Sequence, residues 1–193
     1  MIKIEMATYQ DLPEILAIYR YYVENTAITF EYTTPSLTEF TKRYEKVIEK
    51  YPYLIAKDGN EVVGYVYASC LKDRQAYDWS VETSIYVKKG CQKSGIGKKL
   101  YSALEKILAY QGITNLYACI ASPIEEDQYL NTNSIDYHQH LGYQMIGKFH
   151  RCGYKFNTWY DMVWMEKIIG KHSNKQEMIK SFKEIKNEIV DLL

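Results

Sequence analysis

The segment Gln92-Lys93-Ser94-Gly95-Ile96-Gly97 lies between two runs of different periodicity. Before it, Trp79 to Val87 is a β-branched and aromatic run of strand character. After it, Ile96, Leu100, Leu104, Ile107 and Leu108 recur at helical spacing. A glycine-containing loop that ends a strand and opens a helix gathers unpaired backbone N–H groups and about half a positive charge of helix dipole. That is the local chemistry of a phosphate or diphosphate site. Gly95 and Gly97 let the backbone approach a ligand without a Cβ in the way, and Lys93, Lys98 and Lys99 add charge around it. Taken alone, the six residues also fit a glycine turn that caps a helix. No G-K-[S/T] follows at Walker spacing and no G-x-G-x-x-G follows the first strand, so neither nucleotide motif fits.

The rest of the chain alternates strands and helices. Ile2 to Met6 reads as a strand, and Thr8 with Asp11 forms a capping box for a helix carrying Leu12, Ile15, Leu16, Tyr19 and Val23 inward. Ser36 and Glu39 open a second helix through Phe40, Tyr44, Val47 and Ile48, which stops ahead of Pro52. Tyr53 to Ala56 and Val62 to Ser69, joined by Asp58, Gly59 and Asn60, read as a hairpin. After the central helix come a strand from Asn115 to Ala121, an acidic loop, a helix around Ser134 to Leu141, and strands near Tyr143 to His150 and Trp159 to Lys167. The Lys- and Glu-rich residues 171–193 place Met178, Phe182, Ile185, Ile189 and Leu192 at spacings of three and four, which predicts one amphipathic helix.

Composition excludes several partners. Lys plus Arg and Asp plus Glu are both 24, so no global field draws the chain to nucleic acid or an anionic membrane. No apolar run approaches the roughly 20 residues that span a bilayer, and no basic segment followed by an apolar one begins the chain. A soluble cytoplasmic protein with a small-molecule partner is expected. Cys70, Cys91, Cys119 and Cys152 are scattered, without a C-x-x-C pair or a His at ligand spacing, so free thiols are expected and no metal site.

The pattern Q/R-x-x-G-x-G/A, closing a strand and starting a long helix, resembles the acetyl-CoA loop of the GNAT superfamily. Further blocks narrow the resemblance. Lys72, Arg74, Ala76-Tyr77-Asp78-Trp79 and Val81-Glu82-Thr83 precede the loop. Asn131, Ser134 and His138-Gln139-His140-Leu141-Gly142-Tyr143 follow it, and Gly153-Tyr154-Lys155 with Trp159-Tyr160-Asp161 closes the series. In this order they are similar to the phosphinothricin acetyltransferase branch over about residues 2–168. The resemblance implies an α/β fold, a central mixed and mostly antiparallel sheet flanked by helices. It divides the chain into a catalytic domain, residues 1–169, and a helical extension, residues 170–193. It also implies acetyl-CoA as cosubstrate, an amino-acid-like acceptor of the phosphinothricin or methionine sulfoximine type, and a homodimer. The acidic segment Ile124 to Leu130 is an insertion relative to that branch.

The resemblance also assigns roles. Glu82 stands where the branch carries its general base, and the alternative is a solvated strand carboxylate. His138 stands where many relatives carry a proton-donating Tyr, which makes it either the acid or a second base near the acceptor, and the alternative is a structural helix histidine. His140 points about 200° away around the helix. Backbone N–H groups near Tyr86 and Val87, where the strand is expected to splay from its neighbour, would serve the thioester oxygen. Gln92, Lys93, Ser94, Gly95, Ile96, Gly97 and Lys98 would hold the diphosphate, and Asn131 and Ser134 the pantetheine, or else cap their helix. Phe30, Glu31, Lys72, Arg74 and Tyr77 would shape the acceptor pocket, with the two cations suiting an acceptor carboxylate or other anion. The other readings open at this point are a non-catalytic acyl-CoA-binding regulatory domain, and an acetyltransferase for a polyamine or a protein amine.

Overall fold

The computed structural model describes residues 1–189 and Leu192. Seven strands form one sheet: β1 (Ile2–Met6), β2 (Tyr53–Asp58), β3 (Glu61–Cys70), β4 (Ser80–Val87), β5 (Asn115–Ser122), β6 (Gln144–Lys155) and β7 (Thr158–Ile168). Their spatial order is β1-β2-β3-β4-β5-β7-β6, and every neighbouring pair is antiparallel except β4 with β5. The helices are α1 (Leu12–Asn25), α2 (Leu37–Ile48), α3 (Ile96–Gln111), α4 (Asn133–His140) and α5 (Phe182–Ile185). This is the expected α/β architecture. Among the described residues no helix is long and apolar enough to cross a membrane.

Strand alternation gives the sheet two separate cores. One face packs Leu54, Val66 and Val81 against Leu100, Leu104, Ile107 and Leu108 of α3. The other packs Tyr53, Ile55 and Tyr65 against Ile15, Tyr19 and Val23 of α1 and Phe40 and Tyr44 of α2. The capping signals work as anticipated: Thr8 N–H and Oγ1 both donate to Asp11 Oδ2, at 2.8 and 2.6 Å, and Ser36 Oγ accepts from Glu39 N–H at 3.2 Å. The β6–β7 turn rests on Phe156 and Asn157, with φ of 51° and 59°, and β6 is bulged between Phe149 and Gly153.

The continuous helix expected over 171–193 does not form. Residues 171–181 run without helix, and a single turn, α5, follows a capping box between Ser181 and Glu184. The backbone of this segment is used for tertiary bonds instead: Trp79 Nε1 donates to Glu177 O at 2.7 Å, and Gln111 Nε2 donates to Lys180 O at 2.7 Å and to Lys50 O at 2.9 Å. Phe182, Ile185 and Ile189 are nevertheless buried in the α3-side core, whereas Met178 is exposed. Of the expected helix, Val190, Asp191 and Leu193 lie outside the described residues.

Candidate active site

Parallel pairing between β4 and β5 covers only Ser80, Val81 and Glu82 against Asn115, Leu116 and Tyr117. Beyond Glu82, β4 runs on alongside β3 to Val87, while β5 follows β7 to Ser122. The two central strands therefore part immediately after Glu82, leaving one backbone edge of β4 without a strand partner. Tyr86 and Val87 lie on this stretch, as the resemblance implies, and Tyr22 Oη donates to Val87 O.

The opening leads to the loop between β4 and α3. Lys93 and Gly95 both have positive φ, 60° and 83°, which turns successive N–H groups toward one concavity. Gly95 is the N-cap of α3, so the free N–H groups of the first turn point into the same space. Gln92 Oε1 accepts from Gly90 N–H at 2.8 Å, and Ser94 Oγ donates to Cys91 O, so these two side chains shape the loop. Lys98 and Lys99, joined by Lys3 and Lys106, line an open hollow of about 720 Å³ beside Gly95. Positive backbone dipoles and surrounding lysines suit a phosphorylated ligand. At Gly97 a Cβ would also stand 2.5 Å from Tyr137 Oη.

Glu82 and Thr83 are consecutive on β4 and so face opposite sides of the sheet. Glu82 shares its face with the tyrosines above β2 and β3. Burial raises its carboxyl pKa above the ordinary value, with Lys72 nearby pulling the other way. Lys72, Arg74 and Tyr77 lie on the exposed loop between β3 and β4. The loop is tied down by the Lys50–Asp78 ion pair at 2.7 Å and by Trp79. Glu31 binds Arg43 Nη1 at 2.5 Å, and Arg43 Nη2 binds Glu39 at 2.6 Å. The sequence reading passed over Arg43.

Phe30 lies over Gly153, where any Cβ would overlap its ring, and stacks on Tyr160. Its loop is held by Lys155, which is fully buried and donates to Val23 O, Thr26 O and Thr29 O at 2.7, 2.8 and 2.8 Å. The closing G-x-K block of the sequence thus acts on the loop that bears Phe30 and Glu31, a connection no spacing could reveal. The insertion Ile124 to Leu130 folds against the same loop. Asp127 accepts from Tyr129 N–H, Leu130 N–H and Tyr160 Oη, and Ala27 N–H donates to Tyr129 O.

His138 is on the Thr83 side. Its Nδ1 is 2.7 Å from Ser134 O, and its Nε2 is 2.8 Å from Tyr101 Oη. A carbonyl can only accept, so Nδ1 carries the proton and Nε2 accepts from Tyr101. Burial lowers the ring's pKa, which keeps it neutral. Thr83 Oγ1 lies 3.2 Å from Tyr101 Oη and 3.3 Å from Tyr143 Oη, completing a satisfied polar network within the core. The neighbouring Tyr137 differs: its hydroxyl is buried, has no partner among the described residues, and meets Gly97 at the start of α3. Asn131 Oδ1 accepts from Asn133 N–H at 3.1 Å at the mouth of α4, and Ser134 lies within the first turn. His140 is exposed and directed elsewhere, as expected.

Comparison with known proteins agrees with this geometry. Residues 4–164 match the family model described as acetyltransferase (GNAT) domain. A phosphinothricin N-acetyltransferase of Streptomyces viridochromogenes is 32% identical over 161 residues, covering 83% of this chain and 84% of that one. An L-methionine sulfoximine/L-methionine sulfone acetyltransferase of Pseudomonas aeruginosa is 32% identical over 158 residues, 81% and 88% of the two chains. The crystal structure of a GNAT superfamily phosphinothricin acetyltransferase from Sinorhizobium meliloti in complex with AcCoA superposes with a TM-score of 0.82 at 31% identity, over 94% of this chain and 98% of that one. With its parted central strands and its glycine loop at the head of α3, the chain belongs to the GNAT acetyltransferases.

Proposed function

We propose that the protein is an N-acetyltransferase that moves the acetyl group of acetyl-CoA onto the amine of a small amino-acid-like molecule, by direct attack with both substrates bound. The observation that carries this reading is the parting of β4 from β5 at Glu82, which sets a half-buried carboxylate at the edge of a gap that ends in an anion-binding loop. Acetyl-CoA, when bound, supplies the acyl group as an activated thioester. Gln92 to Lys98 would hold its diphosphate through backbone N–H groups, and Asn131 stands near the pantetheine path with its side chain spent on the mouth of α4.

The chain's own residues then divide the proton work between the two faces. A free amine is mostly ammonium near neutral pH, so Glu82 removes a proton on the acceptor side, and its raised pKa makes it a better base than an exposed Glu. Backbone donors at Tyr86 and Val87 serve the acyl oxygen. On the opposite face the leaving thiolate needs a proton. His138 has none to give from Nε2, whereas the Tyr137 hydroxyl is unengaged, so Tyr137 is the donor in this reading and His138 positions α4 through Tyr101. Lys72 and Arg74 meet the acceptor's carboxylate. The polyamine alternative loses its main support, because Asp127 and Glu126 of the insertion are spent on Tyr160 and the local backbone.

Thiol release from acetyl-CoA across amino acids, phosphinothricin, methionine sulfoximine and polyamines, with Glu82→Gln alongside, tests the reading. Loss of turnover in Glu82→Gln with acetyl-CoA binding intact supports it. Binding without turnover on any acceptor favours the regulatory domain instead. We further propose a homodimer formed through β6, whose Met145, Ile146 and Phe149 are 48%, 53% and 51% exposed. We place the enzyme in the cytoplasm without nucleic-acid or membrane partners, a reading supported by the equal counts of 24 cationic and 24 anionic residues.

A further inference from the structure

The sheet face that carries Glu82 continues into a rack of tyrosines. Tyr53 of β2, Tyr67 of β3 and Ser84 of β4 stand in one cross-strand row, and Tyr65 and Tyr86 stand in the next. Tyr53 and Tyr67 stack at 4.9 Å with planes 5° apart, and Tyr53 and Tyr65 at 5.8 Å and 9°. The hydroxyls therefore leave the sheet side by side. Tyr19 of α1 joins them around a cavity of about 130 Å³ whose wall also includes Glu31 and Arg43. An engineered cavity of about 150 Å³ admits benzene, so a side chain of a few heavy atoms fits here.

Two features define what the cavity would take. Tyr53 and Tyr65 line the cavity, and their hydroxyls have no hydrogen-bond partner among the described residues. Tyr44 and Tyr19, by contrast, bond to Ala7 O and Thr29 Oγ1. These hydroxyls line the cavity and stay accessible from it, so an acceptor atom of a ligand can meet donors that no protein group engages. Charge argues against an anion. Both arms of the Arg43 guanidinium are already engaged, and Glu31 with Glu39 outnumbers it.

Position links the cavity to the reaction. Along β3 and β4 the order is the loop with Lys72 and Arg74, then Ser69 opposite Glu82, then Tyr67 opposite Ser84. The nearer row, Tyr67 with Tyr53, stands two residues from Glu82, about 7 Å along the strand, and the row of Tyr65 stands two residues further. An α-amino acid spreads its carboxylate and side chain to different sides of its amine, which matches a cationic loop on one side of Glu82 and tyrosines on the other.

Resting on the reading of Glu82 as the base, we propose that the tyrosine cavity is the subsite for the acceptor's side chain. It takes a short, uncharged group that ends in hydrogen-bond-accepting oxygen, such as a sulfone, in preference to an ionised phosphinate. The test compares methionine sulfone, phosphinothricin and methionine as acceptors at saturating acetyl-CoA, with calorimetric binding of each in the presence of CoA, which cannot transfer an acetyl group. Methionine sulfone is expected to exceed phosphinothricin in kcat/KM roughly tenfold or more. Tyr53→Phe and Tyr65→Phe are each expected to raise KM and Kd for the sulfone roughly fivefold, leaving the values for methionine and acetyl-CoA in place. Glu31→Gln narrows the gap between sulfone and phosphinate. Equal or better use of phosphinothricin, or Tyr→Phe effects shared by methionine and the sulfone, would overturn the subsite alone. Acetyl-CoA binding with no turnover or binding of any acceptor would overturn the reading of Glu82, and the subsite with it.

Discussion

Glu82 and His138 stand on opposite faces of the sheet, separated by β4 itself. Glu82 projects with Ser69 and Ser84 toward the α1 side, whereas His138 bonds to Tyr101, which meets Thr83 from the α3 side. The two therefore cannot exchange a proton directly. The proposed base, Glu82, and the proposed donor, Tyr137 beside His138 on α4, lie on different faces and can be tested separately.

Glu82→Gln is expected to lower kcat/KM by roughly a hundredfold or more while acetyl-CoA affinity holds. The wild-type acid limb should lie above the ordinary carboxylate range, because burial raises this carboxyl's pKa, and the limb should vanish in the variant. The sign for stability follows. A group whose folded pKa exceeds its unfolded value contributes stability below the unfolded pKa and loses it as pH rises through the folded one. Near neutral pH the buried charge is a cost, so Glu82→Gln should have the higher Tm at pH 7.5, with the gap closing toward pH 4. A variant as unstable as it is inactive would assign Glu82 a structural role.

Tyr137→Phe and His138→Ala separate donor from support. Tyr137→Phe removes one buried hydroxyl that has no partner among the described residues, so its Tm should hold or rise while kcat falls roughly tenfold or more. His138→Ala removes one of the two partners of Tyr101 Oη, leaving Thr83, and empties a core position, so it should cost about 2 kcal/mol or more of stability in a urea titration. Should kcat survive in Tyr137→Phe and collapse in a folded His138→Ala, the two roles would be reversed.

Much of this molecule is legible in one dimension. Periodicity, composition and capping signals locate the strands and helices α1 to α4, most sharply where one face is buried, as on α1 and α3; β6 is exposed along most of its length and its end is misplaced. The pairings that build the site are not legible. Nothing in the order of Tyr53, Tyr65 and Tyr67 tells that antiparallel register stacks them, and twenty tyrosines look like compositional bias. The G-x-K block is visible, but Lys155 acts on carbonyls more than a hundred residues earlier. The last helix misleads for a related reason. Phe182, Ile185 and Ile189 have helical spacing, yet the carbonyls before them serve Trp79 and Gln111, which prevents a continuous ladder.

Lys155→Met should act on the acceptor without touching the cofactor. The substitution keeps the bulk but leaves three carbonyls of the α1 end and the following loop without a donor, costing about 3 kcal/mol or more. The loop carries Phe30 and Glu31, so KM for the acceptor should rise severalfold with KM for acetyl-CoA unchanged. Burial also lowers this lysine's pKa to about 8. Above that pH one of its three protons is lost, so the wild-type acceptor KM should climb on the alkaline side, and the Met variant should show no such climb. Parallel shifts in both KM values would mean that Lys155 supports the whole fold and not this loop.

Phe182→Ala tests the C-terminal segment. Its ring is buried against the α3-side core, and its N–H donates to Lys50 O at 2.9 Å, so the truncation should cost about 3 kcal/mol by denaturant titration. The segment reaches the proposed acceptor loop through Trp79 Nε1 and Glu177 O, which hold one end of the stretch bearing Lys72, Arg74 and Tyr77. Trp79→Phe removes that bond while keeping an aromatic ring. It should raise acceptor KM more than it lowers Tm. A Tm loss as large as that of Phe182→Ala, with acceptor KM unmoved, would show that the segment stabilises the fold and does not position the acceptor loop.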